Sequence, residues 1–291
     1  MKFQFLGTAA GEQYPGMWCR CENCRKAREL RGRNIRKNSC AFIEPNILID
    51  CPNEVFMQAE RFGVDLVDLE YLFVTHSHED HFNLFPIGWR YLDPRIKSPP
   101  PSNAVGSRFT ELKKLHIVGN RLVCQMIEDL LIKKAGFRYE ECALEVHLAE
   151  PFKKYSIGKV DFIPLKANHS ENQAGVPPLN YIMFVKGRTI LYALDTGWFF
   201  PETYEMIKQF KYDLVVVEGT FGYGADLEGH FNYSKLERAV KLFAKDGLLK
   251  DGSPFCASHL SPHFAPVHDE LAPLLAGKGI TAAYDGMKLE L

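Results

Sequence analysis

The chain has 291 residues, 46% of them apolar, enough for a substantial core without forcing a second domain. Lys+Arg 35 against Asp+Glu 36 leaves a net charge of −1, so no bulk basic field is present to draw in nucleic acid. No apolar run approaches the roughly 18 residues of a membrane span, and the polar start is too short for a secretion signal.

Residues 2–7 read as a first strand, followed by a small-residue loop from Thr8 to Glu12. Then comes Cys19-Arg20-Cys21-Glu22-Asn23-Cys24. Three thiolates at this spacing can reach one ion, and zinc in structural sites takes four such ligands. One ligand must therefore come from elsewhere. Eight cysteines without a signal sequence point to a reducing cytoplasm rather than a disulfide framework. Lys26, Arg28, Arg31, Arg33, Arg36 and Lys37 make the next segment strongly basic, and it reads as a solvated helix and loop. Strands are expected over 39–43 and 46–50, joined by a turn at Glu44-Pro45-Asn46. Asn53 is placed to cap a helix running to about Phe62.

The apolar run Tyr71-Leu72-Phe73-Val74 reads as a buried strand, and Thr75-His76-Ser77-His78-Glu79-Asp80-His81 follows directly. Residues alternating along extended backbone face one side. His76 and His78 can thus converge on one point, while Asp80 and His81, past the turn, aim at a second. Imidazole and carboxylate are what zinc, manganese and iron take as ligands. Two such sites roughly 3.5–4 Å apart can clamp a hydrolytic water and a phosphoryl or acyl oxygen.

Residues 82–92 are expected to continue as a helix, and Pro94 with Pro99-Pro100-Pro101 marks a long loop beside the metal loop. That loop is either part of a substrate entrance or a surface insertion. A strand at 115–119 and an amphipathic helix at 121–135 follow. His116 and His147 read as ordinary strand residues. The strand at 159–165 leads to Asn168-His169-Ser170 at its end, where a site residue would be presented. A hairpin over 181–194 ends in Asp195-Thr196-Gly197, and the buried strand 212–217 ends in Glu218. A carboxylate at the tip of an apolar strand is costly unless solvated or bound to a cation. Gly229-His230 precedes another helix, a strand at 255–258 ends in His259, and residues 279–291 suggest a short strand pair around Asp285-Gly286. Strands followed by helix, twice, with polar residues at strand ends, suggest two sheets flanked by helices.

His-x-His-x-Asp-His at 76–81 resembles the signature of the metallo-β-lactamase superfamily, and the match is complete. The likeness covers nearly the whole chain, taking in Phe5-Leu6-Gly7-Thr8, the cysteine cluster, Asn168-His169-Ser170, Asp195-Thr196-Gly197, Ser258-His259 and Asp285-Gly286-Met287. It looks most like the phosphodiesterase of the bacterial carbon–phosphorus lyase pathway, which cleaves cyclic ribose phosphates and carries a structural zinc beside a two-metal centre. The resemblance implies an α/β fold, the four-layer αββα sandwich, with residues 1–291 forming one domain and a small zinc site near 19–24.

The same resemblance implies one metal on His76, His78, His169 and Asp195. It implies another on Asp80, His81, Asp195 and His259, with Asp195 bridging and zinc, manganese or iron as the ion. The structural zinc on Cys19, Cys21 and Cys24 would be completed by His263, one position later than in the family because Pro262 intervenes. A second departure is Thr220-Phe221, where that phosphodiesterase carries its proton-donating histidine. Glu218-Gly219-Thr220-Phe221 followed by Gly229-His230 looks more like tRNA 3′-end endonuclease (tRNase Z), in which a glutamate and a histidine form a proton-transfer pair. His230 would then be the general acid oriented by Glu218. Alternatively it is the fourth zinc ligand, or it packs at the start of a helix.

The expected function is a metal-dependent phosphodiesterase acting on small, including cyclic, phosphate diesters, with Asp80, His230 and Glu218 catalytic. Rival readings are a ribonuclease, lactonase or thiolester hydrolase on the same fold, or a non-catalytic carrier in cofactor biosynthesis. No membrane association and no nucleic-acid partner are expected, and a homodimer is left open.

Overall fold

The computed structural model describes residues 1–90, 112–170 and 175–291. Among these, fourteen strands make two seven-stranded sheets. The first contains β1 (Lys2–Gly7), β2 (Cys40–Ile43), β3 (Ile47–Ile49), β4 (Tyr71–Phe73), β5 (Leu115–Gly119) and β6 (Leu144–Leu148). The second contains β7 (Tyr155–Ile157), β8 (Val160–Lys166), β9 (Leu179–Val185), β10 (Arg188–Ala193), β11 (Leu214–Glu218), β12 (Phe255–Ser258) and β13 (Thr281–Ala282). The last strand, β14 (Lys288–Glu290), returns to the first sheet and pairs antiparallel with β1.

Three apolar layers hold the sheets in place. Phe3, Phe73, Phe162, Tyr181 and Tyr192 lie between them, with Phe73 edge-on to both Phe162 and Tyr181. The outer face of the first sheet is covered by α2 (Val55–Phe62), α3 (Phe85–Gly88) and α4 (Arg121–Ile127), through Val55, Ile87, Val123 and Ile127. An earlier helix, α1 (Glu22–Leu30), starts at the cysteine cluster. The outer face of the second sheet is covered by α5 (Pro201–Ile207), α6 (Tyr233–Lys245) and α7 (His268–Ala276), through Ile207, Leu236, Phe243 and Leu271. The order is helix, sheet, sheet, helix, as expected.

Local chemistry explains the boundaries. β11, Leu-Val-Val-Val-Glu, is buried throughout and parallel to both neighbours, which is why it carries no polar alternation. Asn232 and Asn120 cap α6 and α4, their side chains accepting from Lys235 N and Val123 N at 2.9 and 3.1 Å. Gly63 closes α2 with φ +68°. Past Ile127 the helix widens into π-type turns over Glu128–Lys134.

Several expectations need correction. The helix after the metal loop starts only at Phe85, where Asn83 accepts from Phe85 N and Pro86 suits a first turn, and it makes one turn, Phe85–Gly88. The prolines at 94 and 99–101 lie outside the described residues. Asn53 does not cap α2; Glu54 holds that position. The two C-terminal strands do not pair with each other: β13 joins β12 and β14 joins β1, so residues 283–287 cross between sheets.

Arg36 is fully buried, not solvated. Its guanidinium donates to Thr8 Oγ1 (2.7 Å), to the Ala283 carbonyl and to His268 Nδ1 (3.1 Å). Thr8 in turn donates to Asp285 Oδ1 at 2.7 Å, and Lys37 N and Gln58 Nε2 donate to Oδ2. A buried guanidinium is tolerated only with such partners.

Candidate metal centre

Strand direction brings the site together. β3 and β4 run parallel, as do β10, β11 and β12, and β8 is brought parallel to β10 by two antiparallel steps through β9. All their C-terminal ends therefore open on one edge of the sandwich. The loop after β4 delivers His76, His78, Asp80 and His81, and the segment after β8 delivers His169. Asp195, Glu218 and His259 stand at or just past the ends of β10, β11 and β12. Asp50, Asp195 and His259 take positive φ values of 64°, 43° and 55°, the sharp turn each strand end needs to aim its side chain at the site.

Two groups share one carboxylate. His76, His78, His169 and Asp195 form the first; Asp80, His81, Asp195 and His259 form the second. Asp195 Oδ2 lies 3.2 Å from His76 Nε2 and 2.9 Å from His81 Nε2, and Oδ1 lies 3.3 Å from His259 Nε2. Asp80 Oδ2 is 3.5 Å from His81 Nε2 and 3.7 Å from His259 Nε2. His76 Nε2 faces His78 Nδ1 at 2.9 Å, and His81 Nε2 faces His259 Nε2 at 3.1 Å.

The tautomers follow from the outward-facing nitrogens. His81 Nδ1 donates to Asp50 Oδ2 at 2.8 Å, and His169 Nδ1 donates to the Gly229 carbonyl at 3.3 Å. Thr220 Oγ1 donates to the His259 carbonyl at 3.0 Å, so it accepts from His259 Nδ1 at 2.8 Å. Each of these rings then turns a bare Nε2 to the centre. Burial, with His81 next to it, pushes His76 down to about 3, so its ring is neutral.

The residues fit divalent cations. Asp195 Oδ1 is buried yet accepts no hydrogen bond among the described residues. Such an orphan carboxylate oxygen is costly. A cation between it and the imidazoles would remove the cost, and would also relieve the paired nitrogens that face each other without a donor. The donor set is one that zinc, manganese or iron accepts.

His230 and Glu218 meet at the rim. His230 Nδ1 donates to Glu218 Oε1 at 2.7 Å, and Glu218 also accepts from Thr196 N and Thr220 N. Burial opposes a charge on His230, but the Glu218 charge and hydrogen bond together with the Asp195 charge outweigh it and the pKa is pushed up to about 9. His230 and Glu12 line a cavity of about 310 Å³ over the centre, with Phe221 and Phe264 as its aromatic wall. Among the described residues no lysine or arginine lines it. Gly197 allows the loop carrying His230 to approach: a Cβ there would sit 2.8 Å from Gly229 N and 3.1 Å from Asn168 Nδ2.

No family model matches the sequence, and no curated protein matches it. Solved structures do match. A diphosphatase of the PhnP family is 20% identical, with 100% of this chain and 96% of that one covered and a TM-score of 0.71. Zn²⁺-bound PqqB from Methylobacterium extorquens is 12% identical, with both chains covered in full and a TM-score of 0.68. The metallo-β-lactamase fold protein YhfI from Bacillus subtilis is 17% identical, with 99% of each chain covered and a TM-score of 0.62. This chain has the metallo-β-lactamase fold.

On this metallo-β-lactamase fold the cysteine cluster forms a second, separate group. The Cys19, Cys21 and Cys24 sulfurs lie within 4.8 Å of one another, with Cys24 in the first turn of α1. His263 Nδ1 comes to 4.0 Å from Cys19 Sγ, while His230 is held at Glu218. His263 is thus the histidine the fold brings to the cysteines. Among the described residues no helix is long and apolar enough to cross a membrane.

Sequence reasoning does not reach Asp50 or the way Thr220 orients the His259 ring. Asp50 ends an apolar strand, as Asp195 and Glu218 do, and that shared pattern was the available signal. Thr220 stands in the sequence only where the resemblance implies a histidine, and its hydrogen bond to His259 leaves no mark there.

Proposed function

We propose that this chain is a metal-dependent hydrolase of small phosphate diesters, cyclic ones included, carried by one domain over residues 1–291. His76, His78, His169 and Asp195 would hold one divalent cation and Asp80, His81, Asp195 and His259 the other. Cys19, Cys21, Cys24 and His263 would hold a structural zinc. The single observation that carries the reading is Asp195, whose Oδ2 lies against one histidine of each group, His76 and His81, and whose Oδ1, beside His259, is buried without a donor.

Divalent cations held by these residues would supply Lewis acidity and make a water a better nucleophile near neutral pH. The chain's own residues do the rest. Asp195 and Asp80 fix the charge of the centre, and Asp50 and Thr220 fix the rings. His230 gives a proton to the departing oxygen, while Glu218 holds the ring in place and favours its charged form. Among the described residues no lysine or arginine lines the cavity and Glu12 does, which favours a singly charged diester over a doubly charged phosphate monoester. The eight cysteines, all free, fit a reducing compartment such as the cytoplasm.

The test is metal analysis of the purified protein together with a panel of cyclic phosphates, a bis-aryl phosphate, lactones and thiolesters. Diester hydrolysis is expected, and Asp80→Ala and His169→Ala are expected to abolish it with the fold intact. Undiminished diester turnover in either variant refutes the ligand assignment. Lactone turnover in place of diester turnover refutes the substrate class.

A further inference from the structure

We propose that His116, Glu145 and His147 form an additional binding site for a divalent transition-metal ion such as zinc, at the open rim between the two sheets. The three lie on neighbouring strands in fixed register. In the parallel β5–β6 pair His116 stands opposite Glu145 and Val118 stands opposite His147. Glu145 and His147, two apart on β6, share a face, and His116 shares it from β5. Leu115, Ile117 and Leu144 take the opposite face, into the helix-side core. The backbone ladder therefore aims two imidazoles and one carboxylate at one point, by the same alternate spacing that sets His76 beside His78.

The distances suit a shared ion. His116 Nδ1 lies 3.0 Å from His147 Nε2 and 3.8 Å from Glu145 Oε2, and His147 Nε2 lies 3.6 Å from Glu145 Oε1. Ligands about 2.1 Å from one ion stand at such separations from each other. The His116 ring is stacked on Tyr71 at 5.5 Å between centroids, which fixes its orientation. Side-chain exposures of 20%, 45% and 23% for His116, Glu145 and His147 leave room for water as a fourth ligand. Lys114, 3.1 Å from Glu145 Oε2, competes for the carboxylate and makes this a weaker site than the buried centre. Burial also pushes His147 down, towards the neutral form that binds metal.

The experiment uses the metal-loaded protein, its buried centre and cysteine site already filled, titrated with Zn²⁺ by calorimetry and followed by thermal melting. Wild type is expected to take up one further ion per chain and to melt at a higher temperature with it. His147→Ala should lose that ion and the zinc-dependent rise, and Glu145→Gln should bind it at least 10-fold more weakly. Any hydrolytic activity should be equal in all three proteins, since none of these residues faces the buried centre. A wild type that binds no further ion overturns the proposal. So does a His147→Ala variant that still binds it, because the contact between the two rings is then only a hydrogen bond.

Discussion

His230 Nδ1 donates to Glu218 Oε1 across 2.7 Å, which leaves Nε2 as the only nitrogen His230 can offer to a substrate in the cavity. Glu218 is itself pinned by Thr196 N and Thr220 N, so the pair is preset rather than formed on binding. If His230 protonates the leaving group, its value depends on how badly that group needs a proton. His230→Ala should slow cleavage of an alkyl diester by about 10²–10⁴. It should barely affect a nitrophenyl ester, whose leaving group departs as the anion, and metal content should stay the same. Equal losses on both esters would argue that His230 only shapes the cavity.

Asp50 holds His81 from behind at 2.8 Å and accepts from Thr75 N and Oγ1 as well. Asp50→Asn keeps the shape but removes the charge that favours the Nδ1–H tautomer. Metal affinity or turnover should fall by roughly 10–100-fold. Metal titration of the variant beside Asp80→Ala distinguishes this indirect loss from the loss of a ligand. An unchanged affinity would mean His81 needs no such support.

The cysteine cluster should be a separable source of stability. Cys24→Ala is expected to release one zinc per chain and to lower the melting temperature. The cost should exceed the ~0.5 kcal/mol typical of a surface change. Ions at the Asp195 centre should remain. Zinc content unchanged in Cys24→Ala would remove the structural-zinc assignment.

His268 makes stability depend on pH. Its Nδ1 accepts from Arg36, and burial together with the Arg36 and Arg33 charges pushes its pKa down to about 4, against Asp269 pulling it up. Unfolded, it titrates near the ordinary 6.5. Above that value both states are neutral and the contribution is complete. Between 6.5 and 4 the unfolded chain takes up a proton that the folded chain refuses, so stability falls as pH falls, by about 2 kcal/mol. Urea midpoints at pH 7 and pH 5 measure it. His268→Gln, which can still accept from Arg36, should flatten the difference; the same slope in the variant would place the effect elsewhere.

What could be read in the sequence was whatever chemistry is dense along the chain. The His76–His81 loop crowds ligands after an apolar strand, and only metal binding explains that crowding. His169, Asp195 and His259 stood out as polar residues at apolar strand tips. The burial of Arg36 is hidden in the sequence because its five basic companions suggest solvent, while two of its three hydrogen-bond partners, Ala283 and His268, come from the opposite end of the chain. The two short strands flanking Gly286 have the local pattern of a hairpin, and only the distant partners β12 and β1 pull them apart. His116 and His147 looked unremarkable because their meeting depends on the β5–β6 register, which no single stretch encodes.

The positions that converge on Asp195 run from His76 to His259, and this order has a consequence for biosynthesis. A nascent chain displays the histidine loop early, when it is only a set of loose imidazoles open to any passing ion. The shared carboxylate arrives more than a hundred residues later, and the last imidazole only once β12 has been translated. If the centre takes metal, its full ligand set exists only after β12 has been translated, so ions that reach the growing chain before then meet an incomplete site.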